Sequence, residues 1–199
     1  SREDEEIIRR TFERLKENVE DDSCPIAFPQ TYYPGCLNHG RYMICLNSVS
    51  WARPVLGDEE PDRLIRFCMD KIFSVFTDGG ELIHELRTAD GKPVESTEGH
   101  QVNPGHVFES MWFVHREARR MGLADTCEKA LNMIEKTYQA SRDSIYGGIL
   151  HMLDVLGRTG QYRDWNAERN LKWDEKVWWT QSEALCALLT SALAAGRKD

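Results

Sequence analysis

The sequence predicts an all-α protein that forms a single domain over residues 1–199. Apolar residues recur at helical spacing along most of the chain, and prolines and glycines fall where helices begin and end. No low-complexity segment or linker divides the chain. We therefore expect about six helices joined by long structured loops. They would stack as three helical hairpins, each of which needs a neighbour to cover its apolar face.

Three helices are expected in the first half of the chain. The first ends before the polar break at residues 20–23, and an irregular stretch rich in proline and tyrosine follows at 25–35. The second is expected over 38–51. The third starts at Pro61, which stands where a first-turn proline belongs, and ends at the stop signal 78–80. The apolar positions of these helices are Ile7, Ile8, Phe12, Leu15 and Val19, then Tyr42, Met43, Leu46 and Val49, then Leu64, Ile65, Cys68, Ile72 and Val75.

Three more helices and a short hairpin are expected in the second half. Residues 81–84 favour a short strand. A fourth helix begins at the cap Asn103-Pro104 and ends at Gly122, and a fifth covers 125–140. Glycine breaks and alternation over 145–163 predict a β-hairpin, and the last helix is expected over 175–195.

Composition excludes several classes of function. There are 25 Lys and Arg residues against 33 Asp and Glu, so the net charge of -8 argues against nucleic acid or an anionic membrane surface as the partner. No apolar run approaches the ~18 residues of a membrane span, and the N-terminus SREDEEIIRR is no signal peptide. The six cysteines are scattered without a C-x-x-C pair, which is typical of reduced thiols in a cytoplasmic protein.

The segment NPGHVFESMW at 103–112 is the strongest candidate for catalysis. The capped helix start places His106 in the first turn, and Glu109 shares that face three residues later. A helix N-terminus favours neutral imidazole, which can accept a proton from a weak carbon acid. The alternative is a buried histidine bonded to a loop carbonyl.

A second cluster, WDEKVWWTQSEAL at 173–185, has the composition of a carbohydrate pocket. Trp178 and its neighbour Trp179 could stack on a sugar, while Gln181 and Glu183 could bind its hydroxyls. The alternative is that the tryptophans are core residues of a bulky helix.

The other histidines are weaker candidates. His39 stands at the loop end of the second predicted helix and His100 in a predicted loop, so we expect surface or turn roles for both, and His115 should face away from His106 on the same helix. His151 lies in the predicted hairpin and is a candidate for substrate contact. No His-x-x-x-His pair with a carboxylate is present, so we expect no metal centre.

Taken together and in this order, the two motifs resemble the N-acylglucosamine 2-epimerase superfamily, which includes cellobiose 2-epimerases and mannose or sulfoquinovose isomerases. The resemblance covers N-P-G-H-x-x-E-x-x-W, the Tyr146-Gly147-Gly148 hairpin, and W-x-x-K-x-W-W-x-Q-x-E-A-L, and extends more weakly to YMICLN at 42–47. It implies an (α/α)6 barrel with the sugar bound in the mouth of the inner ring. Twelve such helices need far more than 199 residues, so we expect a central fragment, about half of the barrel, without its N- and C-terminal helix pairs.

The resemblance also implies a mechanism. Two histidines on opposite faces of an open-chain sugar move the proton at C2 through an enediol(ate), and no cofactor is needed. His106 would be one of them, and the second is expected outside this chain. The implied substrate-binding residues are Glu109, Trp112, Trp178, Gln181, Glu183 and, in the place of a further histidine, Tyr42.

Several alternatives stay open at this point. The chain is expected to belong to a sugar 2-epimerase, to an aldose–ketose isomerase, or to be a catalytically incomplete carbohydrate-binding fragment. A glycoside hydrolase on a related barrel would need two opposed carboxylates, for which Glu109 and Glu183 are the candidates. The expected partner is a small sugar, and the open flanks of half a barrel predict self-association, for example as a homodimer.

Overall fold

The computed structural model describes residues 1–23, 35–77, 79–96, 98–155 and 175–196. Seven α-helices lie within these ranges, and six of them are the expected ones, so the all-α class is confirmed. The four-residue α3 was not expected. The helices are α1 (Arg2–Glu20), α2 (His39–Ser50), α3 (Arg53–Leu56), α4 (Glu59–Val75), α5 (Pro104–Arg120), α6 (Ala124–Ser141) and α7 (Trp178–Ala194).

The helices form two layers around α5. Helix α5 packs against α2 on one side and α7 on the other, so these three make one layer. Helix α4 backs α2, and α6 backs α5 and α7, while α1 lies against α2 and α3. The core between the layers is lined by fully buried side chains such as Leu46, Ile65, Phe108 and Ile134. Alternation of inner and outer helices is the arrangement expected for part of an (α/α)6 barrel.

Local sequence signals account for both ends of α5. The side-chain oxygen of Asn103 accepts a hydrogen bond from the backbone N–H of His106 at 3.3 Å, and Pro104 occupies the first turn. The last turn carries Arg119 and Arg120, which complement the partial negative charge of the helix C-terminus. The chain then leaves through Gly122 at a φ of 70°, a conformation that favours glycine.

Four short strands form two antiparallel pairs. Strand β1 (Cys36–Asn38) pairs with β2 (Leu86–Thr88), and β3 (Gln101–Val102) pairs with β4 (Leu153–Asp154). The predicted strand at 81–84 is wrong, because only Ile83 makes an isolated bridge there, to Thr77. The paired strand lies just beyond it. Its partner is about 50 residues away in the sequence, and this long-range pairing decides which segment becomes the strand.

The predicted hairpin at 145–163 is confirmed only in its first turn. Gly147 and Gly148 turn the chain, and Arg142 and Ile149 form a bridge beside them. The following strand β4 does not return to this turn, because it pairs with β3 directly before α5. Residues 156–163 lie outside the described residues. The result is a loop anchored to the start of α5.

A buried ion-pair network joins α3, α4 and α5. The carboxylate of Glu117, which is 4% exposed, accepts hydrogen bonds from Arg53 at 2.5 Å and from Arg120 at 3.2 Å. Asp62 on α4 pairs with the same two arginines. Burial would raise the pKa of Glu117, but the two guanidinium groups lower it. This network ties the end of α5 distant from His106 to its neighbours.

The described residues also bear on the expected cellular setting. Their five cysteines are free thiols, namely Cys36, Cys45, Cys68, Cys127 and Cys186. Cys24 lies outside the described residues. None of the described helices is long and apolar enough to cross a membrane. Within the same residues, no three His, Cys, Asp or Glu side chains come together as metal ligands.

Candidate active site

His106 lies in the first turn of α5 with its imidazole 31% exposed, so a solute can reach the ring. Its Nδ1 lies 2.9 Å from Oε2 of Glu85, a residue directly before β2. The Glu85 side chain is only 12% exposed. The alternative of a buried histidine bonded to a loop carbonyl is therefore wrong, since the partner is a carboxylate and the ring is accessible.

The charge of Glu85 dominates the protonation of His106. Burial would lower the pKa of the imidazole, but the carboxylate of Glu85 and the hydrogen bond to it raise this pKa above its ordinary value. Conversely, burial would raise the pKa of Glu85, but His106 and His39 hold it well below its usual range. The helix N-terminus, which favours neutral imidazole, is thus outweighed by a carboxylate that the sequence motif did not contain.

The hydrogen bond to Glu85 also sets the tautomer of His106. A carboxylate can only accept, so Nδ1 carries the proton and Nε2 keeps its lone pair when the ring is neutral. Among the described residues, no hydrogen bond is made to Nε2. The ring can therefore take up a proton at Nε2 and return it, as a general base and then a general acid.

Trp179 forms a wall beside His106. Its ring centroid lies 5.4 Å from that of His106 and 6.3 Å from that of His151, which meets it edge-on. This close approach requires a glycine at position 105, because a Cβ there would lie 2.3 Å from the Trp179 ring. The glycine of the N-P-G-H motif is thus explained by packing across the α5–α7 interface.

Trp178 does not join this group. Its side chain is 78% exposed, whereas Trp179 is the tryptophan that reaches His106. Consecutive residues on a helix point about 100° apart, so only one of the two can face α5. In the described structure, Trp179 and not Trp178 therefore lies beside His106.

Glu109, Trp112 and Glu183 lie together between α5 and α7. The indole N–H of Trp112 donates to Oε2 of Glu183 at 2.8 Å. Burial raises the pKa of Glu109, and the negative charge of Glu183 raises it further, whereas His106 lowers it. The expected grouping of Glu109, Trp112 and Glu183 with His106 is thus present in the structure.

Gln181 fixes a loop near the site. Its amide oxygen accepts from the backbone N–H of Ile149 at 2.9 Å, and its amide nitrogen donates to the carbonyl of the same residue at 2.8 Å. A Cβ at Gly148 would lie 3.1 Å from that amide oxygen. Both ends of the Gln181 amide are therefore used to hold the turn at residues 147–149 against α7.

Tyr42 is a core residue, and its expected contact with substrate is corrected here. The side chain is fully buried, and its ring centroid lies 5.6 Å from that of Phe76. Its hydroxyl donates to the carboxylate of Asp22 at 3.3 Å. Burial raises the pKa of the phenol. Tyr42 and His39 lie one turn apart on the same face of α2, and both pack on Phe76, but only His39, at the start of the helix, comes close to Glu85.

The comparisons with known proteins can now be set beside this geometry. The family model for N-acylglucosamine 2-epimerase (GlcNAc 2-epimerase) matches residues 62–199, which is more than half of the chain and contains every residue of the site except His39. The chain belongs to the N-acylglucosamine 2-epimerase family.

Individual relatives agree with the family model. The mouse N-acylglucosamine 2-epimerase is 27% identical over 144 residues, which are 67% of this chain and 32% of that protein. The human enzyme is 28% identical over 127 residues, which are 62% of this chain and 27% of that protein. The chain therefore spans about a third of the length of the curated relatives it matches.

Two solved structures show the same fold. A D-mannose isomerase superposes with a TM-score of 0.66 at 15% identity, covering 84% of this chain and 42% of that one. A sugar epimerase from a ruminal bacterium gives a TM-score of 0.60 at 15% identity, covering 81% and 38%. These matches confirm the expected fold class, part of an (α/α)6 barrel.

Sequence reasoning missed two residues of the site in this family member, Glu85 and His39. Glu85 lies 21 residues before His106, outside any motif, and His39 had been assigned a surface or turn role. Trp179 was recognised only as part of the double tryptophan. A signal for Glu85 could be found only in the pairing of β1 with β2, which sets Glu85 beside the start of α2.

Proposed function

We propose that this chain forms part of a sugar 2-epimerase in which His106 moves the proton at C2 of an open-chain aldose. The observation that supports it most directly is the accessible imidazole whose Nδ1 is bonded to Glu85 and whose Nε2 is open. Membership of the N-acylglucosamine 2-epimerase family supports the substrate class.

The proposed reaction needs only proton transfers at the sugar. Nε2 of His106 takes the proton from C2, the electrons of the C–H bond form a C1–C2 double bond, and the C1 carbonyl oxygen takes the negative charge. Return of a proton to the opposite face of C2 restores the carbonyl and gives the epimer. A second proton carrier must stand on that face, and we expect it outside this chain.

The neighbours of His106 have roles that follow from their chemistry. The Trp179 ring would offer an apolar face to the C–H groups of a sugar, and Glu109, which lies near His106, would bind a hydroxyl. Trp112 and Glu183 hold each other across α5 and α7, so they support the wall of the site. Gln181 would support the site indirectly, because it holds the turn at residues 147–149. Trp178 would contact a sugar only if the sugar extended to the exposed surface of α7.

A second candidate is an aldose–ketose isomerase, which the fold likeness to a D-mannose isomerase favours. The first proton transfer would be the same. The enediolate would then be protonated at C1 and the carbonyl would form at C2, so the product would be a ketose. A third candidate is a carbohydrate-binding fragment without turnover. This candidate is favoured by the small part, about a third, of its curated relatives that the chain spans.

The experiment that separates these candidates follows deuterium from solvent into sugar. The 199-residue chain and the protein encoded by the whole reading frame that contains it would each be incubated with N-acetylmannosamine, mannose or cellobiose in heavy water. We expect deuterium at C2 and an epimeric product with the whole protein, and neither with the chain alone. A ketose product would indicate the isomerase. The proposal would be contradicted if the whole protein introduced deuterium into none of the three sugars.

We also propose that the isolated chain self-associates in a reducing, cytoplasmic setting. Leu185, Leu189 and Leu193 repeat every fourth residue on α7 and are 54–68% exposed, which makes an apolar stripe. The five described free thiols suit a reducing compartment. Sedimentation of the chain should show dimers or larger species, and a monomer at high concentration would contradict this.

A further inference from the structure

Two fully buried side chains lie behind Glu85, on the side away from His106. The second oxygen of Glu85, Oε1, lies 3.8 Å from Nδ1 of His39, and Nε2 of His39 lies 3.1 Å from the hydroxyl of Ser110. His39 and Ser110 are 0% and 1% exposed. Ser110 is on α5, one turn after His106, so this row of polar groups begins and ends on the same helix.

The backbone holds Glu85 in this position. Its N–H donates to the carbonyl of Gln101 at 3.1 Å, and its carbonyl accepts from the N–H of His39 at 3.0 Å. The β1–β2 register, which pairs Asn38 with Leu86, sets His39 and Glu85 side by side. The contact between the two side chains is therefore fixed by the fold.

Nδ1 of His39 and Oε1 of Glu85 face each other, but their separation of 3.8 Å is too long for a hydrogen bond. Within the described residues, neither Nδ1 of His39 nor Oε1 of Glu85 has a partner inside hydrogen-bonding range. Buried polar atoms are costly when left unpaired. If the Ser110 hydroxyl donates to Nε2 of His39, the ring carries its proton on Nδ1 and directs it at Glu85.

We propose that His39 and Glu85 are positioning residues: the Nδ1–H of His39 orients the Glu85 carboxylate, which in turn fixes His106 with its proton on Nδ1 and its Nε2 open. This deepens the proposed function, because it assigns the groups that prepare His106 for proton transfer. Neither residue needs to touch the sugar.

The electrostatic surroundings agree with these roles. The titratable groups that act on His106 are Glu85 and Glu109, and His151 stands beyond Trp179. Those that act on His39 are Glu85 and His106. Burial lowers the pKa of His39, so its ring stays neutral and contributes an N–H dipole rather than a second positive charge.

The test is a nitrogen-15 NMR measurement of imidazole tautomers and titration midpoints in the 199-residue chain, which needs no catalytic activity. The signals of His106 and His39 are identified by their loss in His106→Asn and His39→Gln variants. We expect the proton on Nδ1 in both rings at high pH. A proton on Nε2 of His106 would overturn the proposal, and a proton on Nε2 of His39 would remove His39 from it.

Variants then separate positioning from a structural role. Glu85→Gln should lower the titration midpoint of His106 and should let its tautomers mix, and Ser110→Ala should mix the tautomers of His39. Glu95→Gln is the matched control, because Glu95 is 87% exposed and lies beside His100, and it should leave His106 unchanged. An unchanged His106 in a folded Glu85→Gln variant would contradict the proposal, and if that variant does not fold, the wild-type tautomers still decide.

This outcome can be distinguished from failure of the proposed function. If the tautomers are as expected but the whole protein exchanges no sugar proton, the positioning roles of His39 and Glu85 stand and the epimerase proposal fails. If exchange occurs and His106 carries its proton on Nε2, the epimerase proposal stands and the positioning roles fail. In the whole active protein, His39→Gln should lower the rate of exchange with little effect on KM and should shift the pH profile.

Discussion

Nδ1 of His106 lies 2.9 Å from Oε2 of Glu85, although the two residues are 21 positions apart in the sequence. His106 lies in the first turn of the central helix α5, and Glu85 is placed by the edge of a two-stranded sheet. The pair therefore depends on two separate local structures that meet at one point. Most of the chemistry proposed for this chain follows from the contact between His106 and Glu85.

The first prediction concerns stability as a function of pH. The pKa of His106 is raised on folding, so its contribution is complete below the ordinary imidazole value of 6.5 and is lost as pH rises through the folded value. The pKa of Glu85 is lowered, so its contribution is present above the ordinary 4.5 and is lost as pH falls through the folded value. His106→Asn should cost about 1.5–3 kcal/mol between these two pH values and less in alkali, as measured by urea unfolding.

His115→Asn is the control for this measurement. Burial lowers the pKa of His115, so the wild-type residue destabilises the fold as pH falls below 6.5, and its replacement should help more in acid than in alkali. The two histidine variants should therefore show pH dependences of opposite sign. A cost of His106→Asn that does not vary with pH would contradict the ion pair.

The second prediction concerns Gly105. An alanine normally stabilises a helix relative to glycine, but here the added Cβ would meet the Trp179 ring at 2.3 Å. We expect Gly105→Ala to destabilise the chain by about 1–3 kcal/mol and to change its near-ultraviolet circular dichroism as Trp179 moves. Gly40→Ala, which meets only the Asn38 side chain, is the matched control. Equal or greater stability of Gly105→Ala would show that Trp179 does not pack there.

The third prediction is a coupling between α5 and α7. Trp112→Phe and Glu183→Ala each remove the 2.8 Å hydrogen bond between these helices, so a double-mutant cycle should give a coupling of about 1.5 kcal/mol in urea unfolding. Glu183→Gln should also lower the pKa of Glu109, because it removes a nearby negative charge. The exposed pair Glu135 and Gln139 should show no measurable coupling. Additive effects at Trp112 and Glu183 would contradict the contact.

The fourth prediction concerns the buried network at the other end of α5. Glu117→Gln would remove the most buried carboxylate of the network and leave Asp62 as the counter-charge of Arg53 and Arg120, and we expect it to cost about 2 kcal/mol of unfolding free energy. Asp90→Asn affects only exposed contacts, with Lys92 and Thr88, and should cost less than about 1 kcal/mol. If both substitutions were equally mild, the network would not stabilise the fold.

The sequence was most informative about the helices. Apolar spacing, Pro104, Gly122 and the other start and stop signals predicted six helices close to their observed bounds, because each signal acts within one or two turns. The strands were misplaced, since the pairing of β1 with β2 joins segments about 50 residues apart. The short helix α3 lacks a long apolar pattern and was missed.

The site was predicted where a motif carried it and missed where the fold assembled it. His106, Glu109, Trp112 and Glu183 come together as the two motifs indicated. Tyr42 was assigned to the substrate in error, because α2 is buried on more than one face and periodicity alone does not say which buried residue comes close to the site. His39 and Glu85 were not found, since nothing in their local sequence marks the contact.

The most direct test of the proposed function compares two variants of the protein encoded by the reading frame that includes this chain. The rate at which deuterium enters C2 of its sugar substrate would be measured for wild type, His106→Asn and His115→Asn, with near-ultraviolet circular dichroism to show that each is folded. We predict that His106→Asn loses at least about a hundredfold in rate and that His115→Asn stays close to wild type. A folded His106→Asn variant that exchanges at a rate close to wild type would contradict the assignment of His106.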